Sequence, residues 1–298
     1  MNQETAGLNR CEIGTGKYLF HEVDDDDFNL FFSFVDNHRV ACMPVDRNAI
    51  YYNMNHSKRG LAVILNHEHF EINTLKQRTG TNVDCDNLNQ TLHNLGFEVV
   101  VHHNKTTKEI LNIVKEAAEK DHSECDCFVM AVLSHGEMGI LYARDTPYKP
   151  ESLWTPFAAN KCPSLAGQPQ LFFVLRPQKA CQGDKLDAGI TLRRTEVDGD
   201  ETSYKIPTHA DFLIAYSTIP GYYSWRNTTN GSWFMQALCC ELQSRGTEFD
   251  ILTLMTFVIQ RVALDFESNT PGNNVMHRQK QIPCVTTMLT RLLRFTRK

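Results

Sequence analysis

Residues 128–136 read Phe-Val-Met-Ala-Val-Leu-Ser-His-Gly, an unbroken apolar run that passes directly into a polar turn. A run of this kind is typical of a strand that is buried on both faces of a sheet. Five more apolar runs, at residues 61–65, 97–101, 171–175, 212–216 and 282–289, alternate with helical patterns at 83–95, 106–120, 231–244 and 250–265. This alternation predicts an α/β fold, with a six-stranded, mostly parallel sheet and helices on both faces.

The composition is that of an ordinary globular protein. The chain has 298 residues, of which 42% are hydrophobic and 22% charged, and its net charge is -5. The acidic balance argues against a nucleic-acid partner, and no apolar run approaches the roughly 20 residues of a membrane helix. The N-terminus lacks the basic-then-apolar order of a secretory signal. The ten cysteines are therefore predicted to be reduced thiols of a cytoplasmic protein.

Two segments depart from the pattern of strands and helices. Residues 1–50 carry an acidic run from Asp24 to Asp27 and no sustained period, which predicts a mobile N-terminal segment. Residues 184–206 are polar and include Gly189 and Gly199, which predicts a long irregular connection between two strands of the sheet.

Two predicted strand ends carry the candidate chemistry. The strand over 128–133 leads to His135, and the strand over 171–175 leads to Cys181, which lies 181 − 135 = 46 residues further along the chain. Sites in parallel sheets form at the carboxyl ends of strands. Thiol catalysis needs a thiolate and a nearby imidazole, and the neighbouring Gly136 and Gly183 suit turns whose N–H groups hold an oxyanion. Taken alone, a histidine after a strand is more often a surface or hydrogen-bonded residue, and a free cysteine is often a core residue.

Several separated motifs resemble one known family. Four of the five positions in Lys179-Ala180-Cys181-Gln182-Gly183 match Gln-Ala-Cys-x-Gly, which in caspases follows a histidine by about 50 residues. The resemblance extends through nearly all of residues 45–296, and its other motifs lie at 76–81, 133–137, 210–213, 221–227, 231–234 and 280–284. The chain resembles an effector caspase, most closely the insect (lepidopteran) type. That resemblance implies a caspase-like three-layer sandwich.

The resemblance implies a role for each matching residue. Cys181 would be the nucleophile that forms a thioester, and His135 would protonate the leaving amine and then help to activate water. The backbone N–H groups of Gly136 and Cys181 would hold the oxyanion. Arg78 and Arg226 would bind the substrate aspartate, since a guanidinium grips a carboxylate bidentately. The other implied substrate-binding residues are Ser224, Tyr223, Trp225, Asn227, Trp233, Lys179 and Gln178. For Asn227 and Trp233, a plain turn residue and a core aromatic are the alternatives.

Activation and assembly are also implied by the resemblance. A cut after Asp198, in Thr-Glu-Val-Asp at 195–198, would separate a large subunit (37–198) from a small subunit (199–298). A cut after Asp24 or Asp36 would release a short propeptide within residues 1–36, whose end lies between Asp24 and Asp36. The implied product is a homodimer of large and small subunit heterodimers that cleaves proteins after aspartate, with an Asp-Glu-Val-Asp preference, during apoptosis. An upstream initiator caspase and inhibitor proteins are implied as partners. The resemblance implies no cofactor, no nucleic-acid partner and no membrane partner.

One feature departs from the family. Family members run almost directly from the strand into Gln-Ala-Cys, whereas here the residues Leu-Arg-Pro-Gln-Lys at 175–179 precede Ala180. Pro177 cannot donate a ladder hydrogen bond, and Lys179 stands in place of the usual glutamine, with Gln178 one residue earlier. Three explanations are open. The insertion bulges out and leaves Cys181 in place, or it displaces Cys181 at a large cost in catalytic rate. In the third, the insertion is an artefact of the gene model.

Two alternatives accompany the protease hypothesis. The first is a catalytically impaired homologue that acts as a binding partner or decoy, because the insertion at 175–179 lies beside the nucleophile. The second is a metalloprotein built on Cys125 and Cys127 or on His67 and His69. Metal binding is the weaker hypothesis, because neither pair has a second pair at zinc spacing.

Overall fold

The computed structural model describes residues 41–42, 44–137, 139–175, 190–193, 204–219, 224–269, 271–272 and 277–298. All of these residues belong to one compact unit. The described strands, in chain order, are β1 (Ala41–Cys42), β2 (Leu61–Asn66), β3 (Glu98–His103), β4 (Phe128–Leu133), β5 (Gly136–Glu137), β6 (Ile140–Tyr142), β7 (Pro147–Tyr148), β8 (Gln170–Leu175), β9 (Ile190–Arg193), β10 (Tyr204–Ile206), β11 (Phe212–Tyr216), β12 (Arg226–Asn227), β13 (Gly231–Ser232) and β14 (Cys284–Thr287).

The described helices are α1 (Thr81–Asn94), α2 (Thr107–Glu119), α3 (Glu151–Trp154), α4 (Trp233–Arg245) and α5 (Ile251–Asp265), with 3-10 turns at Thr155–Phe157 and Pro163–Leu165. Side-chain caps fix where three of them begin. Thr106 and Glu109 form a capping box at the start of α2, while Ser232 and Asp250 accept backbone N–H groups at the starts of α4 and α5. Among the helices in the described ranges, none is both long and apolar enough to cross a bilayer.

The main sheet has the strand order β14-β11-β8-β4-β2-β3. The five strands from β11 to β3 run parallel, and β14 is antiparallel to β11 at one edge. Every residue of β2, β4 and β8 is buried, as continuous apolar runs predict. The predicted six-stranded, mostly parallel sheet is therefore confirmed.

Helices cover the sheet on both faces. Leu88 of α1, Leu238 of α4 and Val258 of α5 belong to one apolar core against the sheet. Ile110 of α2 and Phe157 of the 3-10 turn after α3 belong to a second core on the opposite face. This layering confirms the predicted three-layer α/β arrangement, and it leaves the carboxyl ends of the central strands as one edge on which a site can be built.

A second, three-stranded sheet differs from the prediction. Strand β9 pairs in parallel with β1 and antiparallel with β10. The stretch 184–206, predicted as one irregular connection, thus contains β9 and β10, and the stretch 1–50, predicted as one mobile segment, contains β1. Strands of two to four residues leave too little alternation for a pattern to be recognised.

A buried ion pair lies at the opposite end of the sheet from the strand ends that carry the candidate chemistry. Arg59, just before β2, donates from Nη1 to Oδ2 of Asp126 over 2.7 Å, and both side chains are fully buried. The Arg59 guanidinium also lies 5.5 Å from the ring centre of Phe295 and donates to the carbonyl of Thr296. Because Leu293 and Phe295 are core residues, the last residues of the chain are anchored next to the beginning of the sheet.

Candidate active site

His135 lies directly beyond the carboxyl end of β4. Its Nε2 is 2.7 Å from the carbonyl oxygen of Lys76, and its ring packs on Phe70 with 4.9 Å between ring centres. A carbonyl oxygen only accepts, so Nε2 carries the proton in this arrangement, and Nδ1 is the nitrogen whose lone pair can exchange a proton with a reactant. The hydroxyl of Ser134 donates to the carbonyl of Tyr142, and the Tyr142 N–H donates to the carbonyl of His135 over 3.0 Å. These bonds hold the histidine in one orientation.

The neighbouring strand, β8, ends at the same edge. Leu175, the last residue of β8, is in register with Leu133, the last residue of β4. Cys181 follows Leu175 by six residues and lies outside the described residues. Gly136, the predicted oxyanion donor, is buried and pairs with Leu141 in the β5–β6 hairpin.

Arg78 is a buried guanidinium rather than a solvated surface charge, since only 3% of the residue is exposed. Its Nη1 donates to the carbonyl of His67 over 2.9 Å and to Oγ1 of Thr81 over 2.7 Å. The Thr81 hydroxyl in turn donates to Oδ1 of Asn66, the last residue of β2. Burial lowers the pKa of the His67 imidazole to about 4, so the ring next to Arg78 is neutral at physiological pH. The arginine is thus held by neutral acceptors at the end of a central strand.

Arg226 approaches the same place from the β12–β13 hairpin. Its Nε donates to the carbonyl of Thr79 over 2.9 Å, next to Arg78 in the chain. Gly80, at φ 87°, lets the two backbones touch, because a Cβ there would lie 2.7 Å from the carbonyl oxygen of Thr228. Close backbone approach therefore sets the distance between the two arginine-bearing segments.

Two tryptophans stack beside the hairpin. The rings of Trp225 and Trp233 lie 5.7 Å apart at 20°, and Trp233 stacks on Phe266 at 5.5 Å. Gln281 ties Trp225 to the sheet, because its Oε1 accepts the Trp225 N–H over 2.6 Å and its Nε2 donates to the carbonyl of Ser217 over 2.6 Å. Trp233 is a buried core residue, which fits the core-aromatic alternative stated for it.

Asn227 is engaged in a local turn. Its Oδ1 accepts the backbone N–H groups of Thr229 and Asn230 over 2.8 and 3.0 Å. This is the plain turn arrangement that polar side chains favour in short hairpins. Its predicted contact with substrate stays a prediction.

One pocket collects most of the predicted site residues that the structure describes. The residues that line it are Arg78, Ser134, His135, Leu175, Ser224, Trp225, Arg226 and Ser232. It therefore joins the candidate proton-transfer group to both candidate carboxylate-binding groups. Tyr223, Lys179 and Gln178, and the cleavage-site candidates Asp198, Asp24 and Asp36, lie outside the described residues, so their roles stay predictions.

The candidate metal pairs have other surroundings. Cys127 is fully buried in the core, and burial raises the pKa of both the Cys125 and Cys127 thiols. The Nε2 of His67 is 3.0 Å from the carbonyl oxygen of Lys105. No group of three or more histidine, cysteine or carboxylate side chains suited to a metal occurs within the described part of the chain.

Known proteins that are similar to this chain belong to one family. The family model described as "Caspase domain" matches residues 59–294. Caspase-1 of Spodoptera frugiperda is 65% identical over 261 residues, which are 87% of this chain and 86% of that protein. Caspase drICE of Drosophila melanogaster is 62% identical over 87% of this chain and 76% of its own length. The crystal structure of the Spodoptera caspase-1 superposes with a TM-score of 0.77 at 63% identity, covering 87% of this chain and 98% of that one.

The chain therefore belongs to the caspase family of cysteine peptidases. It is an effector-type caspase, a cysteine protease that cuts proteins after aspartate in apoptosis. Nothing in these comparisons favours the binding-partner or decoy alternative.

Proposed function

We propose that His135 and Cys181 carry out the peptide cleavage, and the observation that carries this is the pocket shared by His135, Arg78 and Arg226. The Cys181 thiolate attacks the substrate carbonyl carbon, and the backbone N–H groups of Gly136 and Cys181 bind the oxyanion. Protonated Nδ1 of His135 gives its proton to the leaving amine as the peptide C–N bond breaks and the thioester remains. His135 then takes a proton from water, whose oxygen displaces the thiolate and releases the carboxylic acid.

Aspartate selectivity in this proposal comes from the two arginines. Arg78 and Arg226 each present N–H donors to the substrate carboxylate, and a neutral side chain in their place leaves buried positive charge unpaired. Ser224, Tyr223 and Trp225 form the adjoining wall, Lys179 and Gln178 border the aspartate, and Asn227 and Trp233 contact the residue four before the cut. The preferred sequence is Asp-Glu-Val-Asp, which resembles the chain's own Thr-Glu-Val-Asp at 195–198.

Activation in this proposal is a cut after Asp198, with a further cut after Asp24 or Asp36. The ten residues 194–203 join two antiparallel strands, β9 and β10, and connections of this kind are common sites of proteolytic nicking. The products are a large subunit of residues 37–198 and a small subunit of residues 199–298. Two such heterodimers pair in the cytoplasm, where initiator caspases and inhibitor proteins act on them. No cofactor takes part.

To test this proposal, the full chain, including residues 175–179, is expressed and assayed with a fluorogenic Asp-Glu-Val-Asp peptide. The sample is also analysed by mass spectrometry for a fragment that ends at Asp198, and Cys181→Ala is the control. We expect turnover that disappears in the control, which would also show that the insertion at 175–179 is tolerated. A folded chain that is cut after Asp198 and still lacks turnover would support the decoy alternative, and a transcript without residues 175–178 would support a gene-model artefact.

Arg226→Lys is expected to lower kcat/KM for the aspartate peptide by about 10²-fold. Lysine cannot donate to the Thr79 carbonyl and at the same time bind a carboxylate in a bidentate fork, and a hydrogen bond to a charged group contributes about 1.5–3 kcal/mol. Steady-state kinetics would measure the loss, with the exposed Arg294→Lys as the matched control. An Arg226→Lys enzyme within threefold of the parent would contradict aspartate binding by Arg226.

A further inference from the structure

A buried carboxylate lies behind the two arginines of the pocket. Asp84, in the first turn of α1, is only 1% exposed. Its Oδ1 accepts the backbone N–H of Ser232 over 2.8 Å, and Ser232 pairs with Arg226 across the β12–β13 hairpin. Its Oδ2 is buried and has no hydrogen-bond partner among the residues that the structure describes. A lone buried carboxylate oxygen is unusual enough to need an explanation.

Close backbone packing fixes the contact between Asp84 and the β12–β13 hairpin. Gly231, at φ 89°, lies so close that a Cβ on it would collide with Oδ1 of Asp84. Arg226 is hydrogen-bonded to Thr79, just before α1. The carboxylate thus fastens the Arg226 hairpin to the helix that follows Arg78.

Asp84 also interacts electrostatically with both arginines. Burial raises its pKa to about 6, while the Ser232 N–H and the positive charges of Arg78 and Arg226 oppose that rise. The titratable or charged groups that interact with it are Arg78 before α1, Arg226 in β12, Cys85 in α1 and Cys239 in α4. Burial raises the pKa of both thiols to about 12, so of these four described groups the arginines are the charged ones near neutral pH.

We infer that Asp84 is a positioning residue of the aspartate pocket and that it takes up a proton when the substrate aspartate enters. In the empty pocket its negative charge partly balances the two guanidiniums and its Oδ1 holds the hairpin. An incoming carboxylate replaces that counter-charge and repels the one already there, so protonation of Asp84 accompanies binding. This inference rests on the proposed binding of aspartate by Arg78 and Arg226.

Calorimetry with the Cys181→Ala chain, activated by cleavage, tests the proton uptake without turnover. Binding of an Asp-Glu-Val-Asp peptide is measured at pH 6.5 in two buffers of different ionisation enthalpy. We expect an uptake of about 0.3–0.5 proton, which corresponds to a rise of about one unit in the pKa of Asp84. In Asp84→Asn the uptake should fall by that amount, and in the matched control Asp86→Asn, on the exposed side of α1, it should not change. All three chains keep His135, so the difference between them isolates Asp84.

The affinity should follow the same linkage. In the chain with Asp84, the affinity for the peptide is expected to fall about threefold to tenfold as the pH rises from 5.5 to 7.5. Asp84→Asn should lose this part of the pH dependence. In the active enzyme, Asp84→Ala should raise KM about tenfold with kcat within threefold, and Asp84→Asn, which keeps an oxygen for the Ser232 N–H, should restore KM. Equal proton uptake in the parent and Asp84→Asn would overturn the inference.

A peptide with asparagine in place of the final aspartate separates this inference from the proposed function. If that peptide bound as well as the aspartate peptide in every chain, the arginine assignment itself would be wrong. If aspartate were preferred in every chain while Asp84→Asn left proton uptake unchanged, only the role of Asp84 would be wrong.

Discussion

Replacing His135 with alanine is expected to lower kcat for an aspartate peptide by about 10³-fold and to change KM much less. Proton transfer by a positioned side chain contributes about 10²–10⁴-fold to rate. Here the position is well defined, because the Lys76 carbonyl holds Nε2 at 2.7 Å and Phe70 supports the ring. The substitution also leaves Arg78 and Arg226 in place, so substrate binding should persist.

Steady-state kinetics of the cleaved enzyme would measure this effect. The matched control is His93→Ala, which removes an exposed histidine from the last turn of α1. Thermal unfolding of both variants would show that the fold is kept. A His135→Ala enzyme whose kcat stays within tenfold of the parent would mean that another group moves the proton.

Replacing Asp126 with alanine is expected to reduce the free energy of unfolding by about 3–5 kcal/mol. Removal of one partner from a buried ion pair has this large effect because the other charge stays buried without compensation. Arg59 would keep its bonds to the carbonyls of Leu95 and Thr296, its bond to the Thr296 hydroxyl and its contact with Phe295, none of which carries a negative charge. Lys298, whose Nζ lies 3.0 Å from Oδ2 of Asp126, would lose the same partner.

Urea unfolding of the Cys181→Ala chain, which cannot cut itself, would measure the loss. Asp121→Ala is the control, because Asp121 is exposed and sits five residues before Asp126 in the chain. A change below about 1 kcal/mol in Asp126→Ala, similar to an exposed substitution, would show that the buried pair is not a major source of stability.

The buried strands of the main sheet could be predicted closely from the sequence. The bounds of β4 and β11 match their apolar runs, and β8 starts one residue earlier than its run. Burial on both faces makes such strands continuously apolar, which is the strongest pattern a strand can have. β1, β9 and β10 have no such pattern because each is only two to four residues long.

The candidate site was predictable only in part. Strand ends pointed to His135, whereas Arg78 and Arg226 were identified through family resemblance. The Lys76 carbonyl that orients His135 leaves no signal, because a main-chain acceptor is present whatever the side chain is. Asp84 looks in sequence like an ordinary acidic residue in the first turn of a helix. Only the burial and the contact with Ser232 distinguish it.

The place of β11 within the sheet has a consequence for a chain cut between β9 and β10. β11 lies between β8, from before the cut, and β14, from after it, and Leu293 and Phe295 from the end of the chain share a core with Leu88 of α1. To separate, the two fragments would have to break five in-register residue pairs between β8 and β11 and expose an apolar core to water. A nick at this point would therefore add two polypeptide ends and leave the two fragments joined by the sheet and the shared core.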